Sequence, residues 1–133
     1  MKRIGLYLLL CLTMLLCACG GDKASSKNAD GYTEITAEQA KSLMDTEQNY
    51  RIVDVRTPSE YEREHIPGAI LIPDYSIEDS ADAILLDKQQ LILVYCRSGR
   101  RSKNASAILA RLGYTNVMEF GGIIDWPYEV VTE

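Results

Sequence analysis

The run Leu91-Ile92-Leu93-Val94-Tyr95 constrains this chain more than any other segment. Five consecutive apolar residues leave no polar face, so a strand built from them must be covered on both sides, as a central strand of a parallel sheet is. The flanking chain alternates strand-like and helix-like segments. Thr33 to Ile35 reads as a short strand, and Thr36-Ala37-Glu38-Gln39 is a capping box opening a helix with Ala40, Leu43 and Met44 on its inner face. Arg51 to Val55 reads as a buried strand, and Thr57-Pro58-Ser59-Glu60 as a second capping box with proline at the first helical position. A turn at His65-Ile66-Pro67-Gly68 leads into a short strand, Ala69 to Ile72, and residues 76 to 86 read as a helix with Glu78, Asp79 and Asp82 on a solvated face. Ser102 to Leu112 is predicted as a helix ended by Gly113, and Asn116 to Phe120 as a last strand; Gly121-Gly122 and a short helix near Trp126 follow. Such alternation specifies an α/β sandwich around a parallel sheet.

The first 31 residues follow a different pattern. Lys2 and Arg3 precede Ile4 to Leu16, apolar apart from Gly5 and Thr13, which is the order of a secretory signal. Thirteen helical residues span about 20 Å, short of a bilayer's ~30 Å core, so a retained spanning helix is the weaker reading. Leu16-Cys17-Ala18-Cys19 resembles the bacterial lipobox, with Cys17 standing where Ala or Ser is more common. The resemblance implies that residues 1–18 are removed and that Cys19 carries a multi-chain lipid anchor on an extracytoplasmic membrane face. Cleavage nearby, freeing a soluble protein, is the alternative. Residues 19–31 are then the lipidated end and a polar, flexible tether, and residues 32–133 the folded domain.

Removing residues 1–18 changes the chemistry of what remains. Cys11 and Cys17 leave, Cys19 carries lipid, and Cys96 alone keeps a thiol, so no intrachain disulfide forms. The loss of Lys2 and Arg3 leaves 12 basic residues against 19 acidic, a net charge of −7. Such a chain is a poor partner for nucleic acid. Against that acidic background, Arg97, Arg100, Arg101 and Lys103 put four cations into seven residues beside the thiol.

Cys96 follows the central strand directly, and ligands of open α/β sheets bind at the carboxyl ends of strands. The segment Cys96-Arg97-Ser98-Gly99-Arg100-Arg101-Ser102 suits a tight turn whose amides point inward, capped by the N-terminus of the next helix. Gly99 supplies the backbone freedom for that curl. Inward amides, a helix dipole and guanidinium groups all favour a thiolate, which is the nucleophilic form. Arg101 is the arginine expected to fold over the site, whereas Arg97 and Arg100 are as readily solvent-facing.

The segment CRSGRRS is similar to the active-site loop of the rhodanese family. Asp54-Val55-Arg56 looks like that family's Asp-x-Arg, and Glu60-Tyr61 with His65-Ile66-Pro67-Gly68-Ala69-Ile70 resembles its next motif, with Glu64 where a glycine is usual. Gly121-Gly122-Ile123 with Trp126 is similar to its terminal motif. The resemblance implies a three-layer sandwich with a mostly parallel, five-stranded central sheet. It implies further that Cys96 takes sulfane sulfur from a small anionic donor such as thiosulfate and passes it from a persulfide to a thiol or cyanide acceptor. Amides from Arg97 to Ser102 would hold the persulfide; Arg97, Arg100 and Arg101 would orient the donor; no metal or organic cofactor is required. The spacing Cys-x4-Arg to Arg101 is shorter than the Cys-x5-Arg of phosphate-hydrolysing and arsenate-reducing relatives and suits a single bound sulfur. His65 is expected in a structural turn, and Asp54 with Arg56 as an ion pair or cap near the loop, placed where it could orient Arg101. A binding or persulfide-sensing module without turnover is the principal rival. A thiol-redox enzyme is a third reading, one that needs a second cysteine from elsewhere.

Overall fold

The computed structural model describes residues 25–133. The expected signal peptide, Cys19 and the first part of the tether lie outside them. Five strands form one sheet: β1 (Thr33–Glu34), β2 (Tyr50–Asp54), β3 (Ala69–Leu71), β4 (Leu91–Cys96) and β5 (Val117–Gly122), in the order β1-β5-β4-β2-β3. Every pairing is parallel. Four helices connect them: α1 (Ala37–Thr46), α2 (Pro58–Arg63), α3 (Ile77–Ile84) and α4 (Arg100–Arg111). Strand β4 is the central strand, buried along its whole length, as an unbroken apolar run must be. Each such side chain contributes on the order of 1.5–3 kcal/mol by leaving water.

Two apolar clusters cover the two faces of the sheet. One gathers Val53, Val55, Ile92 and Val94 under α3 and α4 through Ile77, Ala81, Ala105 and Leu109. The other gathers Ile52, Leu93, Tyr95 and Phe120 under α1, the turn before β3 and the C-terminal segment through Ala40, Ile66 and Trp126. Alternate residues of β4 therefore serve opposite layers. Both capping boxes form: Thr36 and Thr57 accept from the amides of Gln39 and Glu60, whose side chains accept from the Thr36 and Thr57 amides in return.

Some element ends differ from expectation by a residue or two, β2 running Tyr50–Asp54 and α3 Ile77–Ile84, and three further departures bear on the site or the tether. Helix α4 begins at Arg100, two residues early, because Gly99 adopts φ +105° and turns the chain directly into the first helical turn. Gly121 and Gly122 complete β5 instead of following it, and the last helix is a single 3-10 turn, Ile123–Asp125. Residues 25–31, read as tether, already lie against the domain. Ser25 Oγ donates to the Glu34 carbonyl, and the Asn28 side chain accepts from the amides of Asp30 and Tyr32. No helix among the described residues is long and apolar enough to cross a membrane.

Candidate active site

Cys96 is the last residue of β4, and the turn that follows closes around its sulfur. Gly99 N donates to Sγ at 3.0 Å and Ser102 Oγ lies 3.4 Å from it. Burial works against a thiolate here. The Ser102 hydroxyl and the amides of Ser102, Gly99 and Ser98 outweigh it, and the Cys96 thiol is held below its ordinary value. The side chain is 1% exposed. Thus the sulfur is walled in, yet the surrounding peptide hydrogens aim at it.

What permits so tight a turn is a bare backbone beneath it. A Cβ on Gly122 would sit 1.9 Å from the Arg97 carbonyl oxygen and 2.5 Å from Ser98 Cα. The turn thus lies directly on the end of β5, with the Ile124 amide donating to the Arg97 carbonyl at 3.3 Å. Only glycine fits at position 122, whereas Gly121 has room for a Cβ but adopts φ +89°, which favours glycine for its backbone alone.

The loop cations divide into two kinds. Arg97 and Arg100 are exposed. Arg101 is half-buried and makes a two-pronged ion pair with Glu60 of α2, at 2.8 and 2.9 Å. Hydrogen bonding to Arg101 is the chief cause that holds the Glu60 carboxyl down at about 2. Lys103 turns the other way, to Glu34 at 3.1 Å. Asp54 does not orient Arg101. It accepts from the Arg56 amide and guanidinium at 2.7 to 3.1 Å and from Tyr95 Oη at 2.6 Å, and Arg56 Nη2 also donates to the Glu64 carbonyl at 2.6 Å. This buried group pins the β2 end to β4 and to the chain after α2.

His65 is structural. Its ring stacks on Tyr61 at 3.8 Å, its Nδ1 bonds the Tyr61 carbonyl, and its backbone bridges Val131. Trp126 packs on Phe120 and donates to the Glu129 carbonyl. Among the described residues, no cluster of three or more His, Cys, Asp or Glu side chains is placed to hold a metal ion.

Two residues at the site escaped sequence reasoning. Glu60 is read in the sequence as a helix cap and as part of the Glu60-Tyr61 motif, and its bond to Arg101 follows from neither. Glu119, on β5, is buried behind the turn with Ser102 Oγ at 2.5 Å and the Gly121 amide at 2.8 Å from its Oε1. Its one sequence signal is an acidic residue in an otherwise apolar strand.

A wholly parallel α/β domain with a cysteine curled into an amide-lined turn at the carboxyl end of its central strand defines a class of thiolate site. Residues 36–127 match the Rhodanese-like domain family, and the chain belongs to it. It is 41% identical over 73 residues to the thiosulfate sulfurtransferase PspE of Escherichia coli (strain K12), a match covering 55% of this chain and 70% of that protein. It is 36% identical over 107 residues to the putative sulfur carrier protein YrkF of Bacillus subtilis (strain 168), covering 80% of this chain. The chain spans just over half, 57%, of that relative's length. A solved structure described as rhodanese with anions from E. coli superposes with a TM-score of 0.60 at 37% identity, over 63% of this chain and 99% of that one.

Proposed function

We propose that this protein is a sulfurtransferase in which Cys96 carries the sulfur. The carrying observation is the turn at the end of β4: a sulfur receiving the Gly99 amide at 3.0 Å, close to the Ser102 hydroxyl, with its thiol held down despite burial. The relatives named thiosulfate sulfurtransferase and sulfurtransferase support the same reading. The Cys96 thiolate attacks the outer sulfur of thiosulfate; the sulfur–sulfur bond of the donor breaks, sulfite leaves with its electron pair, and Cys96 holds a persulfide. An acceptor thiolate or cyanide then attacks the outer sulfur and regenerates the Cys96 thiolate. No proton is gained or lost across the cycle when every sulfur species is ionised. Amides of the Arg97–Ser102 turn hold the anionic sulfur, and Arg97 and Arg100, exposed beside it, draw in the donor. Arg101, braced by Glu60, fixes one wall of the turn.

Thiosulfate and cyanide should yield thiocyanate with the native protein and none with Cys96→Ser, and mass spectrometry should find one extra sulfur atom on the Cys96 peptide after thiosulfate alone. Turnover retained by Cys96→Ser refutes the assignment. Because one relative is named a putative sulfur carrier, a second reading is a carrier that loads without turning over; a stoichiometric persulfide without thiocyanate identifies it. We place the protein on a bacterial membrane through lipid on Cys19, by the Leu16–Cys19 pattern. Replacement of Cys19 by serine should move it from the membrane fraction to the soluble one.

A further inference from the structure

Ser102 has one hydroxyl hydrogen and four acceptors within reach: Glu119 Oε1 at 2.5 Å, the Gly99 carbonyl at 3.0 Å, the Gly121 carbonyl at 3.3 Å and Cys96 Sγ at 3.4 Å. A hydroxyl donates to one of these at a time. The shortest contact is to the Glu119 carboxylate. We propose that Glu119 is a positioning residue for Cys96: its protonation state decides whether the Ser102 hydrogen is held by the carboxylate or is free to reach the sulfur.

The two arrangements differ by one proton. With Glu119 ionised, Ser102 donates to Oε1, and the thiolate keeps only its amide donors while a second buried negative charge sits one side chain away. With Glu119 protonated, the carboxyl donates to Ser102 Oγ, and the Ser102 hydrogen is shared among its other acceptors, Sγ included. Carboxyl and thiol then titrate as a pair joined through one hydroxyl. Position 119 suits the role. It is 2% exposed, and burial is the leading cause that pushes its carboxyl above the ordinary value, opposed by the Ser102 hydroxyl, the Gly121 amide and Lys103. The charged and titratable groups facing it are Lys103 on α4, Glu34 on β1, Tyr32 just before β1, and Cys96 on β4 through Ser102. Lys103 is engaged by Glu34, and among the described residues no cation makes an ion pair with Glu119.

The inference rests on Cys96 being the working thiol of the proposed reaction, but it is read from the thiol itself and not from turnover. The ultraviolet absorbance of the thiolate, followed against pH, should show Glu119→Gln lowering the Cys96 midpoint. A one-unit drop raises the thiolate fraction about fivefold one pH unit below the native midpoint. In a Ser102→Ala background the same substitution should do markedly less, since the hydroxyl that transmits it is gone. An unchanged midpoint, or an equal shift with and without Ser102, overturns the proposal. Where Glu119→Gln does not fold, Cys96→Ala supplies the reciprocal measurement. The Glu119 carboxyl, followed by carbon NMR, should then titrate lower than in the native protein; an unmoved carboxyl also overturns it. Failure of thiocyanate production with these titrations intact counts against the sulfur-transfer reading alone.

Discussion

The ends of β2 and β4 lie side by side in register, Asp54 opposite Tyr95, yet they treat charge in opposite ways. At the end of β2 the Asp54 carboxylate accepts from the Arg56 amide, the Arg56 guanidinium and the Tyr95 hydroxyl, and all of it is buried. At the end of β4 an ionisable sulfur is surrounded by donors, while Arg97 and Arg100 stand exposed. A charge whose partners are all supplied by the fold serves the fold. One whose partners are left open serves something that arrives from outside.

Breaking the β2 end should cost the most stability. Asp54→Ala leaves the Arg56 guanidinium buried without its counter-ion, and losing one partner of a buried pair costs about 3–5 kcal/mol; urea unfolding measures it, and a loss below about 1 kcal/mol would remove the distinction. The Glu60–Arg101 pair lies between the two extremes, half-buried at the rim. The Glu60 carboxyl ordinarily titrates near 4.5 and here near 2, so its contribution is complete above pH 4.5 and is lost as pH falls through about 2. Glu60→Gln should therefore flatten the fall in unfolding midpoint between pH 5 and pH 2 relative to the native chain. The smallest stability change belongs to the exposed cations after β4: Arg97→Ala and Arg100→Ala should each stay within about 0.5 kcal/mol of native. Their effect should appear instead in the KM for thiosulfate, raised by up to about fivefold each, the scale of one exposed ion contact. Unchanged KM values would place both side chains outside donor binding.

The fold was legible wherever the determinants are local. The β4 run, the Thr36–Gln39 and Thr57–Glu60 boxes and the strand–helix alternation are patterns a few residues long, and each formed where the sequence placed it. Boundaries slipped where a backbone torsion decides them, as at Gly99. The site was half legible. Cys96 and its turn follow from a contiguous segment, whereas the contacts that brace the turn span 41 residues from Glu60 to Arg101 and 17 from Ser102 to Glu119. Glu60 already had a complete local explanation as a cap, which hid its second bond. The close approach of the Arg97–Ser98 backbone to Gly122 arises only once β4 and β5 are paired, so Gly122 reads as part of a motif in the sequence and as a steric requirement only in three dimensions.

The near-complete enclosure of Cys96 also rations reagents by girth. A disulfide requires a second Cβ within about 3.5–4.5 Å of the first, a volume the turn itself occupies, whereas the terminal sulfur of a small anion brings no carbon with it. Bulky thiols are thereby kept from capping the residue, and slim donors are not. Cys96, the one free cysteine among the described residues, is in this way sheltered by shape.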